Sequence, residues 1–232
     1  HRSVGPLLEE VAGGIAEGYR RVKIKIKPGW DKEPLCAIRE RFGDFPLFPD
    51  ANSAYELKKH LGVFRELDTL DLMMVEQPLH HEDLVDHARL QREIKTPVCL
   101  DESVHSAAQA RGAIELGSCR IVNVKIQRVG GLGQALRIHD LCRGKGIGLW
   151  CGTMPETGLG QAQGLALASL PGFTHPADLE PSARFFPEDV VDPPLVLDAE
   201  GRLPVPQGEG TGVEVRMDVV EKYKVAHLTL SP

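Results

Sequence analysis

Short apolar runs and longer amphipathic ones take turns along most of this chain. The apolar runs at 21–26, 46–49, 70–75, 96–100, 120–126 and 146–151, with 172–176 as a seventh, have strand length and are flanked by Gly, Pro, Asp or Asn. The segments 55–67, 82–94, 106–116, 134–143 and 158–170 repeat their apolar positions at helical spacing, and 5–18 reads as a helix ahead of the first strand. Strands that alternate with helices imply a parallel sheet, because a parallel connection needs a crossover element. The repeat of about 25 to 30 residues matches a closed (β/α) barrel, whose eight units fill about 250 residues. No G-x-G-x-x-G turn follows a strand, which argues against a dinucleotide-binding open sheet. The expected fold class is therefore α/β: a (β/α) barrel with about seven βα units visible and the first strand unaccounted for.

The rhythm stops near Glu180, where Pro193-Pro194-Leu195-Val196-Leu197 and Gly201-Arg202-Leu203-Pro204-Val205-Pro206-Gln207-Gly208 read as turns and hairpins. Two units are expected: residues 1–180 as the catalytic barrel and 181–232 as a small C-terminal subdomain.

Composition narrows the function. With 42% hydrophobic and 26% charged residues the chain is an ordinary globular one, not a disordered one. A formal net charge of -6 gives no basic footprint for nucleic acid or an anionic membrane. No run of about 18 apolar residues spans a bilayer, and His1-Arg2-Ser3-Val4-Gly5 does not open a signal peptide. The five cysteines are odd in number and scattered, so they read as buried reduced thiols. The expectation is a cytoplasmic protein acting on a small molecule.

Three carboxylates, Asp50, Glu76 and Asp101, each follow an apolar strand, one βα unit apart. In a parallel barrel every strand ends on the same face, so these side chains project into one mouth. Neighbouring strands lie about 4.8 Å apart, which lets three acids converge on one cation. Left together without one, they would raise one another's pKa values. An all-oxygen set with room for water or substrate suits Mg²⁺, with Mn²⁺ or Co²⁺ as substitutes. The alternative is helix capping, by Asp50 with Asn52 and Ser53 and by Asp101 with Ser103; Glu76, followed by Gln77-Pro78, has no such role.

In Arg21-Val22-Lys23-Ile24-Lys25-Ile26-Lys27 the lysines alternate with β-branched residues and share one strand face. A barrel has no solvated edge, so Lys23 and Lys25 would point inward. Lys125, after Asn123-Val124, would reach the same mouth from across the barrel. Lysines partly desolvated beside a cation are expected to have depressed pKa values, as a general base requires. A carboxylate substrate held at the metal would have its Cα between two lysines. One would take the α-proton and the other return a proton to the opposite face: racemisation, or dehydration if a β-hydroxyl leaves. A Schiff-base lysine aldolase is the weaker use of the same barrel.

The motifs Lys23-Ile24-Lys25-Ile26-Lys27-Pro28-Gly29-Trp30-Asp31, Asp50-Ala51-Asn52-Ser53-Ala54-Tyr55, Glu76-Gln77-Pro78-Leu79, Leu100-Asp101-Glu102-Ser103, Asn123-Val124-Lys125 and Trp150-Cys151-Gly152-Thr153-Met154-Pro155-Glu156-Thr157-Gly158 resemble the enolase superfamily, and within it the N-acylamino acid racemase / o-succinylbenzoate synthase group. The resemblance covers essentially the whole chain and implies a modified TIM-type barrel. It implies Lys25 and Lys125 as acid/bases, Lys23 as electrostatic support, and Asp50, Glu76 and Asp101 as Mg²⁺ ligands. Asn52, Gly152, Thr153 and Met154 would then line the substrate end, with Asp178 either supporting the site or serving as a turn residue. Pro155 departs from that motif, where leucine is expected. The family's N-terminal α+β capping domain, which the 181–232 unit would complete, is not contained in this sequence. The expected activity is a metal-dependent N-acylamino acid racemase with o-succinylbenzoate synthase as companion activity, in a homo-oligomer. The alternatives are dipeptide epimerisation, muconate cycloisomerisation, or a barrel fragment without catalytic competence.

Overall fold

A computed structural model describes residues 3–228. Residues 1–2, which begin the N-terminal segment read above, and 229–232, which end the expected second unit, lie outside the described residues. The elements run α1 (Val4–Ala16), β1 (Val22–Lys25), α2 (Lys32–Phe42), β2 (Leu47–Asp50), α3 (Leu57–Leu67), β3 (Val75–Glu76), α4 (Leu84–Glu93), β4 (Val98–Leu100), α5 (Ala107–Leu116), β5 (Ile121–Asn123), α6 (Ile126–Val129), α7 (Leu132–Lys145), β6 (Gly148–Trp150) and α8 (Gly158–Ala168). A short hairpin of β7 (Val191–Asp192) with β8 (Glu214–Val215) and the helix α9 (Met217–Tyr223) follow.

Strands β1 to β6 pair in sequence order, all parallel. The expected seventh strand is reduced to one parallel bridge, Leu149 with Phe173. Backbone hydrogen bonds from Thr174 N to Leu149 O and Asp178 N to Cys151 O still lay this segment beside β6. Arg21, just before β1, donates to the carbonyls of Pro176 and Ala177 and to Asp178 Oδ1, so side chains join the last segment to the first strand.

Local chemistry sets the helix ends. Asp83 and Ser106 accept from Asp86 N and Gln109 N and so start α4 and α5. Gly117 and Gly146, at φ 72° and 67°, close α5 and α7 in the left-handed conformation that glycine adopts without strain. Outward strand residues such as Leu47, Val98, Leu100, Val122 and Leu149 join buried helix residues such as Leu35, Ile38, Phe64 and Leu90 in the main core.

Two further elements differ from expectation. The 70–75 run is a strand only at Val75–Glu76: Asp71 sits at φ 49°, and Arg39 binds the carbonyls of Leu70 and Asp71 that a ladder would use. Residues 124–126 do not continue β5, because α6 begins at Ile126. The tail returns to the barrel's first units, with Arg20 Nε donating to Glu200 O.

Candidate functional site

The two-residue period of a strand sorts the ring interior into two layers. The lower layer, Phe48, Met74, Cys99, Ile121 and Trp150, is a separate buried apolar cluster. Beneath it Arg21 lies 5.0 Å from the Phe48 ring and 4.9 Å from that of Trp150. Two residues further along each strand the chemistry changes to Asp50, Glu76, Asp101, Asn123 and Gly152, with Lys25 on β1 in register with Asp50. The polar layer thus sits on an apolar floor at the strands' C-terminal ends.

Asp50, Glu76 and Asp101 are buried, at 2%, 0% and 1% exposure, and none caps a helix: the N-cap of α3 is Glu56 and that of α5 is Ser106. Asp50 and Glu76 are register partners on β2 and β3. Asp50 Oδ1 accepts Asn52 N at 3.0 Å, and Lys25 Nζ lies 2.6 Å from Oδ2. Asn123 Nδ2 donates to Glu76 Oε1 at 2.8 Å, whereas Glu76 Oε2 is buried with no hydrogen-bond partner. Burial, then the charge of Asp50, pushes the Glu76 carboxyl well above the ordinary carboxylate range. Asp101 is held by two cations, Lys125 Nζ at 2.9 Å from Oδ2 and the Arg128 guanidinium on Oδ1.

Among the described residues no three Asp, Glu, His or Cys side chains form a ready ligand group. Lys125 and Arg128 each occupy one oxygen of Asp101. The donor chemistry nevertheless fits a hard divalent cation: all donors are oxygens, and Glu76 Oε2 is a buried carboxylate oxygen with no hydrogen bond.

Lys23, Lys25 and Lys125 all reach this layer. Lys23 Nζ lies 2.8 Å from Asp178 Oδ2, 3.8 Å from Asp50 and 3.9 Å from Glu76. Burial alone would lower its pKa, but with no cation on the acids the charges of Asp178, Glu76 and Asp50 outweigh burial and raise it. Asp178 answers in kind: burial works to raise its pKa, yet Lys23 and Arg21 hold it at about 2. Its part is therefore to anchor the lysine and close the ring. Lys125 is buried, while the Lys25 side chain is mostly exposed.

At the loop end, Gly152 N donates to Asn123 Oδ1 at 2.8 Å and Thr153 Oγ1 to Glu156 Oε1 at 2.6 Å, while Met154 is exposed. Asn52 spends its amide on neighbours, accepting from Lys25 and donating to Glu102 Oε1. Sequence reasoning missed Gln77, Asn123, Arg128 and Glu102. Gln77 Oε1 accepts both Asp101 N and Ser103 N, and its Nε2 donates to Ser103 Oγ, which fixes the turn that carries Asp101. Its position directly after Glu76 and before a proline was an available signal. Asn123 shares the inward phase of Lys125, which also could have found it.

Comparisons agree with this architecture. Residues 7–219 match the family model described as enolase C-terminal domain-like. The chain is 52% identical over 217 residues to an o-succinylbenzoate synthase of Bacillus subtilis, covering 94% of this chain and 58% of that protein. It is 50% identical over 220 residues to an N-succinylamino acid racemase of Thermus thermophilus, covering 95% and 59%. An enolase-superfamily structure from Listeria innocua superposes with a TM-score of 0.92 at 43% identity, over 96% of this chain and 60% of that one. A dipeptide epimerase from Enterococcus faecalis, complexed with Mg and L-Leu-L-Tyr, gives 0.84 at 27% identity over 92% and 61%. This chain spans less than two thirds of the length of each.

Proposed function

This chain belongs to the enolase C-terminal domain-like family, and from that premise we propose that it racemises N-acylamino acids by moving the proton α to their carboxylate. The observation that carries the proposal is the pair of lysines flanking the acids: Lys25 Nζ lies 2.6 Å from Asp50 and Lys125 Nζ 2.9 Å from Asp101, with Glu76 on the strand between. Lys25 takes or returns the proton on one face of the α-carbon, and Lys125 does so on the other. Lys23, whose pKa is raised, remains a cation and stabilises negative charge as the α-proton leaves. Mg²⁺, or Mn²⁺ or Co²⁺ in its place, would be held by Asp50, Glu76 and Asp101 and would, when bound, supply positive charge to the substrate carboxylate. Asn52, Gly152, Thr153 and Met154 border the substrate end.

The names of the relatives support the substrate class, an N-succinylamino acid, and a companion dehydration giving o-succinylbenzoate. The proposal includes the division into residues 1–180 and 181–232, a cytoplasmic location and a homo-oligomer. Among the described residues, no helix is long and apolar enough to cross a membrane.

Folded Lys25→Ala and Lys125→Ala proteins should each lose α-proton exchange from one enantiomer of N-succinylamino acids in deuterated solvent, by about 10²-fold or more. EDTA should abolish exchange from both. Full exchange in both variants sinks the proposal, and Mg²⁺ binding without turnover would favour a barrel that is not competent alone.

A further inference from the structure

Of the two proposed acid/bases, Lys125 is buried beside Asp101 and needs no further guide, whereas the Lys25 side chain is 62% exposed. An exposed lysine on a four-carbon stem explores many rotamers, and something must aim it. Its Nζ has two acceptors, Asp50 Oδ2 and Asn52 Oδ1, both at 2.6 Å. An amine held at two of its N–H positions has one tetrahedral direction left for proton transfer. Asp50 is also a proposed cation ligand, so Asn52 is the acceptor that serves Lys25 without that competing duty.

Asn52 is in turn fixed from behind. Its Nδ2 donates to Glu102 Oε1 at 2.8 Å, so the amide has a donor-only ammonium at one end and an acceptor-only carboxylate at the other, and cannot flip. Its backbone and that of Ser53 are left-handed, at φ 40° and 65°, a strained turn held by Asn52 N on Asp50 Oδ1 and Ser53 N on Gln77 O. Glu102 Oε2 is buried without a partner. Glu102 is half-buried, and the oxygen that holds Asn52 is the one of its two that makes a side-chain hydrogen bond.

We propose that Glu102 is a positioning residue that, through Asn52, aims Lys25 at one face of the substrate α-carbon and leaves Lys125 untouched. This rests on the racemase reading above. The experiment compares Glu102→Ala and Glu102→Gln proteins in deuterated solvent, starting from each enantiomer. Glu102→Ala should slow racemisation about tenfold in kcat with KM nearly unchanged, since misplacing a catalytic group costs rate more than binding. Exchange should fall for the enantiomer facing Lys25. For the enantiomer facing Lys125 it should persist without inversion. Glu102→Gln, whose amide oxygen still accepts from Asn52, should recover most of the loss. Equal loss from both enantiomers, or no loss, overturns the proposal. The Lys25 Nζ resonance, assigned with Lys25→Arg, provides a readout independent of turnover. It should shift in Glu102→Ala while that of Lys125 stays fixed, and an unmoved Lys25 resonance also overturns the proposal. If the unsubstituted protein exchanges neither enantiomer, the racemase reading fails, and the resonance still decides whether Glu102 holds Lys25.

Discussion

Gly152→Ala tests the geometry most sharply, because it adds one methyl group against two side chains of the site, Asn123 and Lys125. A Cβ built on Gly152 stands 2.6 Å from Asn123 Nδ2 and 2.8 Å from Lys125 Cε, well inside van der Waals contact. Asn123 has little room to yield: its Oδ1 accepts Gly152 N and its Nδ2 holds Glu76 Oε1. Lys125 is pinned to Asp101 at 2.9 Å, so relief for either neighbour disturbs an acid. Overpacking of this kind costs about 1–3 kcal/mol. At about 2–4 °C per kcal/mol for a chain of this size, calorimetry should find Tm lowered by several degrees. A shift of Lys125 by about 1 Å should cost on the order of 10²-fold in exchange of the enantiomer it serves. Exchange from the Lys25 face should fall less. A Gly152→Ala protein with unchanged Tm and unchanged exchange from both enantiomers would refute the packing described around Lys125.

Two further outcomes concern stability. His87 is fully buried, with Leu79 N donating to Nε2 and Nδ1 bonded to Asp83 O, so the neutral ring is the one that fits. Burial holds its pKa below the ordinary histidine value against the opposing pull of Asp83 and Asp86. The unfolded chain therefore binds the proton first, and stability is lost as pH falls from about 6.5 to the lowered folded value, at up to roughly 1.4 kcal/mol per pH unit. His87→Gln should flatten the dependence of Tm on pH in that window; a slope equal to wild type counts against it. Asp189, from the tail, accepts Gly158 N at 3.0 and 2.9 Å and caps α8, whose own Thr157 offers no side-chain bond. Asp189→Ala should cost about 0.5–2 kcal/mol by denaturant unfolding, and no loss would mean that the tail does not support the barrel helix.

What could be read in the sequence, and what could not, follows from the range of the interaction that carries each feature. Alternation within one strand is local, so the inward phase of Lys23 and Lys25 was legible from Val22, Ile24 and Ile26, which alternate with them. The spacing of Asp50, Glu76 and Asp101 was legible because each ends an apolar run. Helix α2 went unnamed although Asp31 accepts Lys32 N and Glu33 lies in the first turn: only Pro34, Leu35 and Ile38 are buried, too few for a clear apolar stripe. The pull of Arg128 on Asp101 depends on α6 starting at Ile126, where the apolar run 120–126 reads as uninterrupted strand. Asp178 is the longest-range case, because its partners Arg21 and Lys23 are more than 150 residues away and meet it only when the ring closes. The raised pKa of Lys23 follows from that closure. A strand lysine read alone is desolvated and would lose its proton more readily; the same lysine facing Asp178, Glu76 and Asp50 keeps it. The ion pair of Lys23 with Asp178 is thus a property of the closed barrel and not of the strand.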